Sequence, residues 1–239
     1  MAMPDWFPDE FAWVGRENLD ERHVEQYDQK EDAHGSEEVA LLRSLGLGPT
    51  DVVIEFGPGT GQFTTEVAAF CRQVIAVDVS RPMLRHLASK LERADIRNVE
   101  TVHAGFLGYE HPGGPADVVY SRLALHHLPD VWKAVALSRI RRILRPGGIF
   151  RLVDVVYHFP LCELQERIEA WAARYVDAGP GQWTRADIAE HVRDEHSTFS
   201  WLLEPMMEQA GFRIERVEYA DGFSAAYLLR AVESTDPAE

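Results

Sequence analysis

A doubly wound α/β fold on a mostly parallel, seven-stranded sheet is what three features of this sequence predict. Short apolar runs alternate with stretches of helical length across residues 36–210, the pattern of strand–helix–strand units whose helices cover both faces of a parallel sheet. The first run, Val52-Val53-Ile54-Glu55-Phe56, leads into glycines at alternate positions, Gly57, Gly59 and Gly61. Glycine tolerates positive φ and lets backbone approach a ligand closely. Two final apolar runs, 212–218 and 223–231, flank Asp221-Gly222, a hairpin signal that makes the last strand antiparallel.

Each element has a local reason. Ser36 is a candidate N-cap for a helix over 36–45, which Gly46 or Gly48 ends. Strand one covers 51–56, and a helix over 62–70 points its first N–H groups at whatever the glycine turn holds. Strand two is Gln73-Val74-Ile75-Ala76-Val77-Asp78, after which Ser80 and Pro82 start a helix to about Ala94. Strands over 99–103 and 117–121, a helix over 132–144, a fifth strand over 149–156 and a helix over 198–210 precede the hairpin.

Two segments stand outside this alternation, 1–35 and 157–197. Ligands of open α/β sheets bind beyond the carboxyl ends of the strands, which makes these segments the expected lid and substrate pocket. The candidate contacts in and just beyond them are Tyr27, Lys30, His34, Tyr157, Trp171, Tyr175, Trp183 and Phe199, although such aromatics also serve to anchor peripheral helices. The organisation expected is therefore a lid (1–35), a ligand-binding core (36–156), a helical insertion (157–197), the end of the core (198–232) and a disordered tail (233–239).

At 239 residues the chain is long enough for one large domain with a sizeable core. No run of 18 apolar residues occurs, and the start is studded with Asp and Glu, so neither a membrane span nor an export signal is expected and the cytoplasm is the expected compartment. Cys71 and Cys162 are the only cysteines, which argues for a reducing compartment and against a cysteine-held metal. No His, Asp or Glu pair has convincing metal spacing, and no metal is predicted. Net charge is −15, with 12 acids and 3 bases in residues 1–40 and 12 bases and 6 acids in 81–151. Arg139, Arg141, Arg142 and Arg145 lie on and just after a predicted helix, where solvation and the helix dipole account for them. No nucleic-acid partner is expected. Trp6, Phe7, Phe11 and Trp13 offer either a homodimer contact or packing on their own domain.

Asp78 lies 17 residues past Gly61, where a carboxylate suits both hydroxyls of a ribose. A dinucleotide turn wants G-x-G-x-x-G, and Gln62 stands at the third glycine's position, which leaves a nicotinamide oxidoreductase as a distant competitor. The chain resembles the class I S-adenosylmethionine-dependent methyltransferases. The resemblance is carried by Glu55 with Gly57, Gly59 and Gly61, by Asp78, by Asp117-Val118-Val119-Tyr120-Ser121 leading into Ala124-Leu125-His126-His127-Leu128-Pro129-Asp130, and by Leu144-Arg145-Pro146-Gly147-Gly148. It implies a Rossmann-like core, S-adenosylmethionine as cofactor and Glu55 facing the cofactor's ammonium end. Val79 and Met83 are expected to flank adenine, and Gly105, Phe106 and Ser121 complete the expected cofactor contacts.

One departure is visible. Relatives usually carry an Asp that contacts the adenine amino group where this chain has Gly105, so Gly105→Asp is expected to bind the cofactor as well or better. After the fourth strand, Ser121-Arg122 replaces the Asn/Asp-Pro-Pro-Tyr/Phe of enzymes that methylate base nitrogens or glutamine, which disfavours those acceptors. His158, just after strand five, and His126 are the candidate general bases. Tyr27, His34, Tyr157 and Trp171 are the candidate substrate contacts. The expectation is a methyltransferase of a small molecule, with O- or C-methylation favoured. An RNA or protein methyltransferase and a non-catalytic cofactor-binding module are the alternatives.

Overall fold

The computed structural model describes residues 4–13, 15, 24, 27, 33–175 and 183–233. Lys30 and, apart from Glu233, the expected disordered tail fall outside them.

Among the described residues eight strands form, in chain order, β1 (Val52–Phe56), β2 (Gln73–Asp78), β3 (Val99–His103), β4 (Ala116–Arg122), β5 (Leu144–Tyr157), β6 (Thr198–Phe199), β7 (Phe212–Ala220) and β8 (Ser224–Ala231). The sheet runs β3-β2-β1-β4-β5-β8-β7, with β6 attached to β5 off this path. The pairs among β1 to β5 are parallel, and β8 lies antiparallel to both β5 and β7. The hairpin at Asp221-Gly222 is thus realised, with φ +57° at Asp221 and +78° at Gly222. β6 was not expected; its two residues pair with Val156 and Tyr157, which removes them from the start of the last helix.

Described helices are α1 (Gly35–Ser44), α2 (Gln62–Val67), α3 (Arg81–Arg93), α4 (Asp130–Ile143), α5 (Leu164–Ala173), α6 (Arg185–Asp194) and α7 (Ser200–Gln209). α3 begins as the sequence indicates, with the Ser80 hydroxyl accepting from Met83 N at 3.2 Å. α1 begins earlier than Ser36. His34 is its N-cap at φ +48° with no side-chain cap bond, and a Cβ on Gly35 would lie 2.9 Å from Gln62 O. The close approach of α1 to the start of α2, not a hydroxyl cap, sets that boundary.

Alternation along the strands divides the core into two faces. Ile54, Phe56, Ile75, Val77 and Phe150 pack with Leu137 and Ile140 of α4 and Leu203 and Met207 of α7. Val53, Val74 and Val118 pack with Val39 and Leu42 of α1 and Phe63 and Val67 of α2. Arg151 crosses this second face and is held by Glu38 through two 2.7 Å bonds. Phe7 and Trp13 pack against the first cluster, while Trp6 and Phe11 stay exposed.

Candidate active site

The carboxyl ends of β1, β2 and β4 meet at one cleft, where the glycine turn sits. Gly57 (φ +72°) and Gly59 (φ +54°) adopt the left-handed region that disfavours side chains. A Cβ on Gly57 would also fall 2.5 Å from that of Ala124. A cleft of about 100 Å³ opens beside them, and its wall includes Gly57, Gly59, Asp78, Val79, Met83 and Phe106. Asp78 Oδ2 accepts from Gly59 N at 3.1 Å and Oδ1 from Ser80 N at 2.7 Å, so the second strand's carboxylate fixes the turn of the first. Burial raises the Asp78 carboxyl to about 6. Glu55 lines an adjoining recess with Gly57, Gly59 and Thr60. Burial pushes it to about 8, against a 2.5 Å hydrogen bond from the Thr64 hydroxyl.

Gly61 and Ser121 have other roles. A Cβ on Gly61 would strike Leu87 Cδ1 at 2.2 Å, so that glycine admits α3 against the start of α2 and lines none of these walls. Ser121 is fully buried with its hydroxyl enclosed, and the cleft wall passes instead through Arg122, Leu123 and Ala124.

A second cavity, of about 190 Å³, adjoins the first. Tyr27, Trp171, Tyr175 and Trp183 supply its aromatic lining, and His126, His127, His191 and Glu195 its polar one. Tyr27, Leu123 and His127 belong to the walls of both spaces. Of the candidate substrate contacts, Tyr27 and Trp171 line this cavity. Tyr157 packs instead in an aromatic cluster with Phe159 and Phe223 and is not part of the cavity wall, which this strand reaches through Val155. His34 is exposed beside Glu37 at the head of α1. His158 is exposed too, stacked on Tyr219 at 3.5 Å and bonded to the Ser200 hydroxyl at 2.9 Å; it lies outside both cavity walls.

His126 is held on every side. Its Nδ1 meets one Asp154 oxygen, its backbone N donates to the other at 3.0 Å, and its Nε2 ion-pairs with Glu195 Oε2 at 3.0 Å. Burial opposes a charge on the ring, and the two carboxylates outweigh it and raise His126 to about 10. Burial opposes charge on Glu195 as well, yet His126 and His191 hold it well below the usual range. His127 goes the other way: burial and then the charge on His126 lower it to about 4, leaving a neutral ring in the shared wall.

Glu195 and His191 were missed by sequence reading. Thr184 and Asp187 form a capping box that starts α6, and a helix begun there presents His191 and Glu195 four residues apart on one side. That signal was available. Their meeting with His126 was not, since it depends on the insertion folding back over β5. His126, His127 and Glu195 bring ligand atoms within 4.8 Å of one another, a grouping able to receive a metal ion. Chain-local spacing could not display it.

Residues 53–148 match the methyltransferase domain family. An uncharacterized methyltransferase of Geobacillus kaustophilus is 28% identical over 232 residues, covering 93% of this chain and 100% of its own. The crystal structure of a SAM-dependent methyltransferase from Aquifex aeolicus shares the fold at TM-score 0.61 and 18% identity, over 89% of this chain and 99% of its own. The N-methyltransferase NodS of Bradyrhizobium japonicum, solved with S-adenosylhomocysteine, does so at TM-score 0.63 and 14% identity, over 95% and 100%. A domain match at the glycine cleft, relatives aligned along nearly the whole chain and a shared fold together support a class I S-adenosylmethionine-dependent methyltransferase.

Proposed function

We propose that the acceptor is a small molecule held in the aromatic cavity, and that methylation is at oxygen or carbon. The observation that carries this reading is the wall shared by the two spaces at Tyr27, Leu123 and His127. The cofactor cleft fits its ligand chemically: Glu55 matches an ammonium, Asp78 a ribose, and the bare backbone of Gly57 and Gly59 close approach. Bound there, S-adenosylmethionine supplies a methyl group on a sulfonium, whose leaving group needs no proton. The protein's task is then to align and desolvate.

A cavity of about 150 Å³ holds benzene, so the acceptor space suits one substituted ring. The aromatic side chains bind its faces. His127, neutral at physiological pH, offers a ring nitrogen to the proton of an acceptor hydroxyl. His126, locked between two carboxylates, positions Glu195 and fixes the polar end of the cavity. Transfer of labelled methyl groups from S-adenosylmethionine into a cell extract, separated into small-molecule, protein and RNA fractions, tests the reading. Label among small molecules supports it. Label in protein or RNA transfers the assignment to a macromolecular acceptor, and cofactor binding with no label favours a non-catalytic module.

Two further outcomes are expected. In the empty cleft Glu55 is protonated below a pH of about 8, and a neighbouring ammonium favours its ionised form. Binding of S-adenosylhomocysteine therefore releases up to one proton, and affinity rises with pH by at most about tenfold per unit until Glu55 ionises on its own. Calorimetry in buffers of differing ionisation enthalpy checks this; proton uptake would remove Glu55 from the ammonium. Second, the His126–His127–Glu195 cluster is read as ion-paired, because a protonated His126 satisfies both facing carboxylates. Chelator treatment is expected to leave methyl transfer unchanged, and stoichiometric metal on elemental analysis would reverse that reading.

A further inference from the structure

The cleft wall holds two carboxylates, and only Asp78 belongs to the sheet. The other is Glu10, from the N-terminal turn Glu10–Trp13. It is 7% exposed despite its charge. Its Oε2 accepts from Leu107 N at 2.9 Å and its Oε1 from Gly108 N at 2.6 Å. The hole that receives it is made by two glycines. A Cβ on Gly105 would lie 2.4 Å from Glu10 Oε2, and one on Gly108 would lie 2.6 Å from Oε1. A segment almost a hundred residues distant in sequence thus inserts a carboxylate where position 105 has no side chain.

Chemistry says what that carboxylate does. The part of the cleft lined by Val79, Met83, Ala104, Gly105 and Phe106 is apolar in its side chains, as a purine face requires. An adenine also presents a 6-amino donor. The Glu10 carboxylate faces the backbone N–H groups of Leu107, Gly108 and Gly105, and a carboxylate with about four lone-pair sites keeps one for a further donor. Resting on the cofactor reading above, we propose that Glu10 is the acceptor for the adenine 6-amino group, supplied by the N-terminal strap in place of a side chain at position 105.

The strap is placed for this by its own contacts. Asp9 Oδ1 accepts from Phe11 N at 3.1 Å, Phe11 stacks on His103 at 4.7 Å, Phe7 meets Trp132 of α4 edge-on at 5.2 Å, and Trp13 enters the cleft wall. The base is then read by a segment that also closes the cleft. This reverses the sequence expectation for Gly105→Asp. The new side chain would meet Glu10 and, at 2.7 Å, Val79 Cγ1, placing two carboxylates in one buried space. It displaces the strap and weakens binding.

The test is calorimetric binding of S-adenosylhomocysteine and of S-inosylhomocysteine, in which an oxygen replaces the 6-amino group, to the full chain and to Glu10→Ala. The native protein is expected to prefer the adenosyl ligand by about 10–100-fold, the range for a hydrogen bond to a charged group. Glu10→Ala is expected to reduce that preference to less than about threefold, through lost affinity for the adenosyl ligand, while the inosyl ligand is held as before. Retained inosyl binding also reports that the variant is folded. Preference undiminished in Glu10→Ala, or equal loss of both ligands, overturns the proposal and leaves Glu10 a cap for the 107–108 backbone. Failure of the native protein to bind either ligand would instead overturn the cofactor reading beneath it.

Discussion

Asp154→Ala is expected to destabilise the protein by about 3–5 kcal/mol, the range for breaking a buried ion pair from one side. Asp154 is 2% exposed, and its carboxylate accepts from His126 N at 3.0 Å and Val155 N at 2.8 Å besides engaging the His126 ring. Alanine leaves those donors without acceptors in the interior. The loss depends on pH with a definite sign. His126 is raised from 6.5 to about 10, so its contribution is complete below pH 6.5 and lost as pH climbs toward 10. Asp154 is lowered from 3.8, so its contribution is present above that value and lost as pH falls. The melting temperatures of native and variant protein should therefore differ most between about pH 5 and pH 6.5, and the gap should narrow on the alkaline side to what the two backbone donors contribute. A gap that stays constant to pH 10 would mean that His126 is not charged in the folded protein.

Asp78→Ala is expected to weaken S-adenosylhomocysteine binding by about 100-fold. Two effects combine. Charge-assisted acceptors for the ribose hydroxyls are removed, and the amides of Gly59 and Ser80 lose the oxygens that fix the glycine turn. The fold should persist, since β2 still contributes Val74, Ile75, Ala76 and Val77 to the core. Calorimetry measures the first effect and circular dichroism the second. A loss below about threefold in a folded variant would detach Asp78 from the ribose, because a single hydrogen bond to a charged group is worth about 1.5–3 kcal/mol.

Much of the sheet was legible in the sequence because strand identity is a local property. Val74 to Val77 are apolar on both sides, as a strand buried between two helical layers must be, and β2 and β3 occupy the residues their sequences indicate. Ser80 reads as a cap because its hydroxyl acts three residues away. Boundaries shifted where packing intervenes, as with Gly35 against Gln62 and with Thr198-Phe199 drawn onto β5.

The site divides along the same line. Gly57, Gly59 and Asp78 were recognisable because strand, turn and next strand are contiguous and a cofactor turn demands particular residues at short spacing. Tertiary structure alone decided that Gly61 serves Leu87, that Tyr157 and His158 stand outside the cavity walls, and that Glu195 joins His126 across the insertion. It also decided that the carboxylate beside Gly105 comes from Glu10. The physical reason is range. Periodicity, capping and backbone freedom act within a few residues and are written in order along the chain, whereas a side chain's neighbours across 69 or 97 positions are fixed only when whole elements pack.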